Sequence, residues 1–128
     1  MIWRRALLVW LVIIAAETVH GILRQLLLTP VVGDVAARQI GVVIGSLIVL
    51  AVAVVFARWL CAKTLREQLA VGIAWVALTV AFEIALGAVL GFTPERMLAD
   101  YDLSAGGLMA LGLLFMLAAP ALAGRLRR

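Results

Sequence analysis

Apolar residues along this chain gather into four long runs, separated by short clusters of charged residues, Gly and Pro. A helix that crosses a bilayer needs about 20 predominantly apolar residues. The first run covers about 3–28 and closes before Thr29-Pro30. The second covers about 35–59, with Asp34 placed to act as its N-cap. The third covers about 69–90 and ends at Gly91, ahead of Thr93-Pro94. The fourth covers about 104–122, and Pro120 weakens its last turn. The fold this pattern predicts is all-α: an integral-membrane four-helix bundle, one transmembrane domain over 1–128.

Composition strengthens that reading. The chain is 66% hydrophobic and 14% charged, against ~45–50% and ~25% in an ordinary soluble domain. Mean hydropathy is +1.20. The lipid bilayer is therefore the first expected partner. The net charge of +4 sits at segment ends, which is an orientation signal rather than a nucleic-acid surface. Arg4 and Arg5, then Arg58, Lys63 and Arg66, then Arg125, Arg127 and Arg128 mark one side. The opposite side keeps Arg38 beside Asp34, and Arg96 against Glu95, Asp100 and Asp102. Both termini are thus expected in the cytoplasm, in a bacterial inner (plasma) membrane. A cleavable leader fits poorly, because a cut after Ala16 would put Ile14 where a small residue is wanted. A single cysteine, Cys61, excludes an intrachain disulfide and a cluster held by cysteines alone.

The chain also carries a weak internal repeat. Glu17, Gly21, Asp34 and Gly41 recur with the same spacing as Glu83, Gly87, Asp100 and Gly107. Two helical hairpins in parallel orientation would produce it. Glu17 and Glu83 would then be counterparts near one axis.

Ionisable groups inside apolar runs are costly, so they face a partner, a cavity or a pathway. At 100° per residue, Glu17, His20, Gly21 and Arg24 share one face of the first helix. Arg38, Gly41 and Gly45 share a face of the second, and Thr79, Glu83, Gly87 and Gly91 a face of the third. Gly41–Gly45 and Gly87–Gly91 are GxxxG patterns, which permit close helix approach within a chain or in a homodimer. At ~1.5 Å per residue, these groups and Gln39 lie between the midplane and the outer face. Two acids and two arginines sum to zero, and buried salt bridges between them are the expected arrangement.

Three functions follow from such a cluster. The first is transport or binding of a proton, an ion or a small polar or anionic solute by Glu17, His20, Arg24, Arg38, Gln39 and Glu83. A carboxylate takes a cation or proton, His20 relays protons, and the arginines hold an anion or a lipid headgroup. Asp100, Tyr101 and Asp102 would form a gate at the outer mouth. The second is structural or assembly: buried ion pairs that only fix helix register. The third is a metal site. Glu17-x-x-His20 has the spacing used in di-iron bundles, and Glu83 would join it, across a dimer if need be. Met109 and Met116 could serve Cu(I), so iron and copper are the candidate cofactors, with neither favoured. No nucleophile–base set, phosphate loop or zinc spacing occurs, so no enzymatic activity is expected.

Ala16-Glu17 followed by Gly21, in the first of four spans, resembles the small multidrug resistance transporters over about ten residues. That resemblance implies an antiparallel dimer in which an embedded glutamate, here Glu17, exchanges protons for cationic drugs. The chain departs from the family in its glycine spacing, its lone loop tyrosine Tyr101, its extra Arg24, Arg38 and Glu83, and its strong charge bias. It is not assigned to that family.

Overall fold

The computed structural model describes residues 2–95 and 109–126, and every element in them is helical. The elements are α1 (Ile2–Leu23), a π-helical turn (Arg24–Leu28), α2 (Thr29–Val32), α3 (Asp34–Leu60), α4 (Leu65–Val89) and α5 (Met109–Leu126). Four helices are long and apolar enough to cross a membrane: the continuous stretch Ile2–Val32, then α3, α4 and α5.

The first helix does not stop before Thr29-Pro30. A proline inside an α-helix lacks a donor and collides with the carbonyl four residues back. The chain widens by one residue instead. The Thr29 backbone N–H reaches back to the Arg24 carbonyl, five residues away, and the Thr29 hydroxyl donates to the same oxygen at 3.3 Å. Helix then resumes with Pro30 in its first turn and ends at Gly33, whose φ of +89° breaks it. Asp34 is not the cap of α3. Gly33 holds that place, and Asp34 is the first helical residue, paired with Arg38 one turn on.

The next boundaries have side-chain causes. Cys61 takes a left-handed conformation after α3. Arg5 of α1 donates there to the Trp59 carbonyl at 2.8 Å and to Cys61 Sγ at 3.1 Å, with its guanidinium over the Trp59 ring. Thr64 and Glu67 form a reciprocal capping box that starts α4 several residues earlier than the apolar run. Gly91, at φ +78°, ends α4, with the Phe92 N–H returning to the Gly87 carbonyl.

The helices pack as α1 against α3, α3 against α5, α5 against α4 and α4 against α1. α1 and α4 run parallel: Trp75 Nε1 donates to the Ala6 carbonyl and Trp10 Nε1 to Thr79 Oγ1, each pair 69 positions apart. The sequence repeat matches Glu17 with Glu83 at a spacing three positions shorter. Asp100 and Gly107, its other members, lie outside the described residues, as does the proposed gate Asp100, Tyr101 and Asp102.

Among the described residues the apolar core lies in one half of the molecule. It comprises Ala6, Val9, Trp10 and Ile13 of α1, Val49, Ala53 and Leu60 of α3, Val71 and Trp75 of α4, and Met116, Ala119 and Ala123 of α5. These come from the start of α1, the end of α3, the start of α4 and the end of α5. Within this core the Thr79 hydroxyl accepts from Trp10 at 3.0 Å and donates to Met116 Sδ at 3.3 Å, joining three helices. Among the described residues of the other half, the buried ones on α3 and α4 are small: Ala37, Gly41, Gly45 and Gly87.

Candidate functional site

The half without large core residues receives the ionisable side chains of α1. Glu17, His20 and Arg24 are half-buried and turn toward α3. Glu17 Oε2 lies 2.8 Å from where a Cβ on Gly45 would stand. One turn further, Arg24 Cδ lies 2.9 Å and His20 Cε1 3.7 Å from the corresponding point on Gly41. The two glycines thus leave bare backbone on which a carboxylate, an imidazole and a guanidinium rest. The GxxxG expectation is corrected here. Gly41 and Gly45 do not bring two backbones together; they make room for charged side chains, and that face is occupied within the chain. Close backbone approach occurs elsewhere, where Gly72 of α4 meets the Leu117 carbonyl of α5. Gly21, on the charged face of α1, has nothing within 4 Å of its Cβ position.

The expected buried salt bridges are not formed. Among the described residues the ion pair is local: Arg38 Nε to Asp34 Oδ2 at 3.1 Å, with side chains 20% and 49% exposed. Arg38 therefore answers its own helix, at the mouth of the site, because Asp34 sits one turn away on the same face. Glu17 and Arg24 attract each other without closing a pair. Glu17 Oε1 and Arg24 Nε are both buried and make no hydrogen bond among the described residues. Native structures leave few such atoms, and each calls for an explanation.

Glu83 shares a face of α4 with buried Thr79 and Gly87 and is itself exposed. The contacts tying α1 to α4 run from Ala6–Trp75 through Trp10–Thr79 to Trp10–Phe82, all in the core half. Glu83 is near enough for its negative charge to act on Glu17. Gln39 is half-buried on α3, next to Arg38.

No group of three His, Cys, Asp or Glu lies together among the described residues, so Glu17, His20 and Glu83 are not assembled as metal ligands. Met116 is buried and spends its sulfur on Thr79. Two features escaped sequence reasoning. The sequence puts Thr79 on the Glu83 face, and nothing in it marks the hydroxyl as the hub of a buried hydrogen-bond chain. Gly72 gave no signal beyond being a glycine in an apolar run.

No protein-family model, curated protein or solved structure matches the chain.

Proposed function

We propose that this is a small multi-pass membrane protein that binds or transports a proton, an ion or a small polar or anionic solute at the α1–α3 interface. The observation that carries the reading is the pair of buried, unsatisfied atoms, Glu17 Oε1 and Arg24 Nε. Leaving such a group without a partner costs about 1–3 kcal/mol, more when it is charged. A cluster serving only to fix helix register would join the two charges. Here they stay apart on bare glycine backbone, which favours a ligand, a proton or water as the missing partner.

In this reading the solute enters from the end where α3 begins. Asp34 and Arg38 stand at the entrance, His20 and Arg24 lie further in, and Glu17 is deepest. The packed half closes the opposite end. Basic residues gather at that closed end, which accords with cytoplasmic termini and outward-facing access. Parallel α1 and α4 accord with two hairpins of like orientation.

The test is a panel of protons, simple cations, anions and neutral solutes offered to the detergent-solubilised chain, read by thermal shift and by pH change in weak buffer. At least one should give a response in the natural chain that Glu17→Gln abolishes or alters. A panel that leaves Glu17→Gln indistinguishable from the natural chain overturns the reading. The structural alternative predicts that Glu17→Gln and Arg24→Met are strongly non-additive in thermal stability; a bound-ligand site predicts near-additive effects in the absence of solute.

A further inference from the structure

We infer that the packed end of the bundle is a docking surface for anionic phospholipid headgroups, formed by Arg4, Arg58, Lys63, Arg66 and Arg125. The inference rests on the membrane-crossing part of the reading above and is independent of the Glu17 site. These residues come from the start of α1, the end of α3, the turn after it, the start of α4 and the end of α5, so every long helix contributes. All are exposed, and none makes an ion pair among the described residues. The acid in their midst is Glu67, whose carboxylate already accepts from Thr64 in the capping box. Arg5 is different. It is half-buried and engaged with the Trp59 carbonyl, the Trp59 ring and Cys61.

Helix electrostatics accounts for only part of this set. A cation suits the last turn of a helix, as with Arg58 in α3 and Arg125 in α5. Arg4 and Arg66 stand in the first turns of α1 and α4, where the helix dipole disfavours positive charge. What all of them share is one end of the molecule, just outside the core residues Ala6, Leu60, Val71 and Ala123. That end also exposes Trp3 and Trp59, by 55% and 43%, together with Leu65 and Leu126. Indoles, apolar side chains and unpaired cations at one level match the boundary between headgroups and acyl chains. A soluble acidic protein would answer the charges alone. A phospholipid answers both, with its phosphate on the cations and its chains on the apolar residues. All but Lys63 are arginines, whose planar fork binds phosphate oxygens in pairs and is weakly hydrated. The partner is therefore a phospholipid of net negative headgroup, taken in preference to a zwitterionic one.

The experiment reconstitutes the full chain in vesicles of phosphatidylcholine mixed with phosphatidylglycerol, with brominated acyl chains on one lipid or the other. Bromine quenches the indoles it touches, here the exposed Trp3 and Trp59, whereas Trp10 and Trp75 are buried in the core. Both leaflets carry the same lipids, so the orientation of insertion does not affect the result. A cation near an anionic surface contributes up to about fivefold in affinity. Brominated phosphatidylglycerol should therefore quench as a lipid preferred about fivefold or more over phosphatidylcholine at low salt. The preference should fall toward one in about 1 M sodium chloride. Arg58→Gln combined with Arg66→Gln removes two exposed, unpaired side chains and should cut the preference by about threefold or more. Equal quenching by the two lipids in the natural chain leaves these cations to orientation or to an acidic protein, and overturns the proposal. So does a preference that neither salt nor the double variant reduces. If the double variant does not insert, the natural chain and its salt dependence decide the matter. A natural chain that stays out of vesicles of either composition overturns the membrane-crossing reading as well. One that inserts without preferring phosphatidylglycerol overturns this proposal alone.

Discussion

At the scale of single residues, two side chains show how differently a polar atom is treated in the two halves of this protein. Thr79, only 4% exposed, is fully satisfied: it accepts from Trp10 and donates to Met116. Thr79→Val keeps the shape but strands the Trp10 N–H. It should lower stability by about 1–3 kcal/mol, the cost of an unsatisfied buried donor, and chemical or thermal denaturation in detergent will measure it. Glu17 is treated in the opposite way and retains an unsatisfied oxygen. Gly45→Ala would place a methyl group 2.8 Å from Glu17 Oε2. Because that oxygen is the far end of a flexible side chain, the carboxylate can swing aside. The expected outcome is a stability change under about 1 kcal/mol, together with an altered ligand or proton response. A stability loss as large as that of a core variant would show that Glu17 cannot move. The grouping of Glu17, His20 and Arg24 was legible in the sequence, because helical periodicity alone puts them on one face. Their partners were not. Whether Arg38 bonds inward or to Asp34 depends on a choice of rotamer between two nearby acids, and periodicity carries no information on that.

Among the elements, the four apolar runs located all four long helices, since hydropathy over 18 or more residues is a strong signal. The ends were less legible, each for a local reason. Thr64-Leu65-Arg66-Glu67 is a capping-box sequence lying outside the apolar run, so hydropathy alone started α4 too late. Thr29-Pro30 reads as a stop, yet a widened turn carries the helix through it. The described part of the fourth helix runs to Leu126, past Pro120, which is buried within it. Helix contacts also distinguish one glycine from another. At Gly72 an added Cβ would collide with the backbone carbonyl of Leu117, which cannot swing aside as a side chain can. Gly72→Ala should therefore force α4 and α5 apart and cost about 1–3 kcal/mol, as overpacking does. Setting its melting temperature beside that of Gly45→Ala compares backbone-limited with side-chain-limited space. Equal losses would contradict the distinction.

For the molecule as a whole, the division into a packed half and a polar half was only partly readable. The depths of Glu17 and Arg24 follow from counting residues. That the large core side chains among the described residues stop near Ile13 and Val49 follows from three-dimensional packing, since all four long helices are apolar enough to cross a membrane. The unequal helices have a further consequence. The stretch Ile2–Val32 holds 31 residues and α4 holds 25, so at 1.5 Å per residue they reach roughly 46 Å and roughly 38 Å. A hydrocarbon layer is about 30 Å thick. Both exceed it, the first helix by the larger margin, with Leu26, Leu27 and Val31 exposed along its far end. A helix that long must tilt or lift its tip into the headgroups, and its tip follows directly on Glu17, His20 and Arg24. With the helices crossing a bilayer as proposed, lipid chain length would become a mechanical input to the α1–α3 interface. Reconstituted in phosphatidylcholines of increasing acyl length, the protein should change its solute response with bilayer thickness. Its packed half should keep a nearly constant melting temperature. A response that is flat across thicknesses would show that the long helix is decoupled from the site beneath its tip.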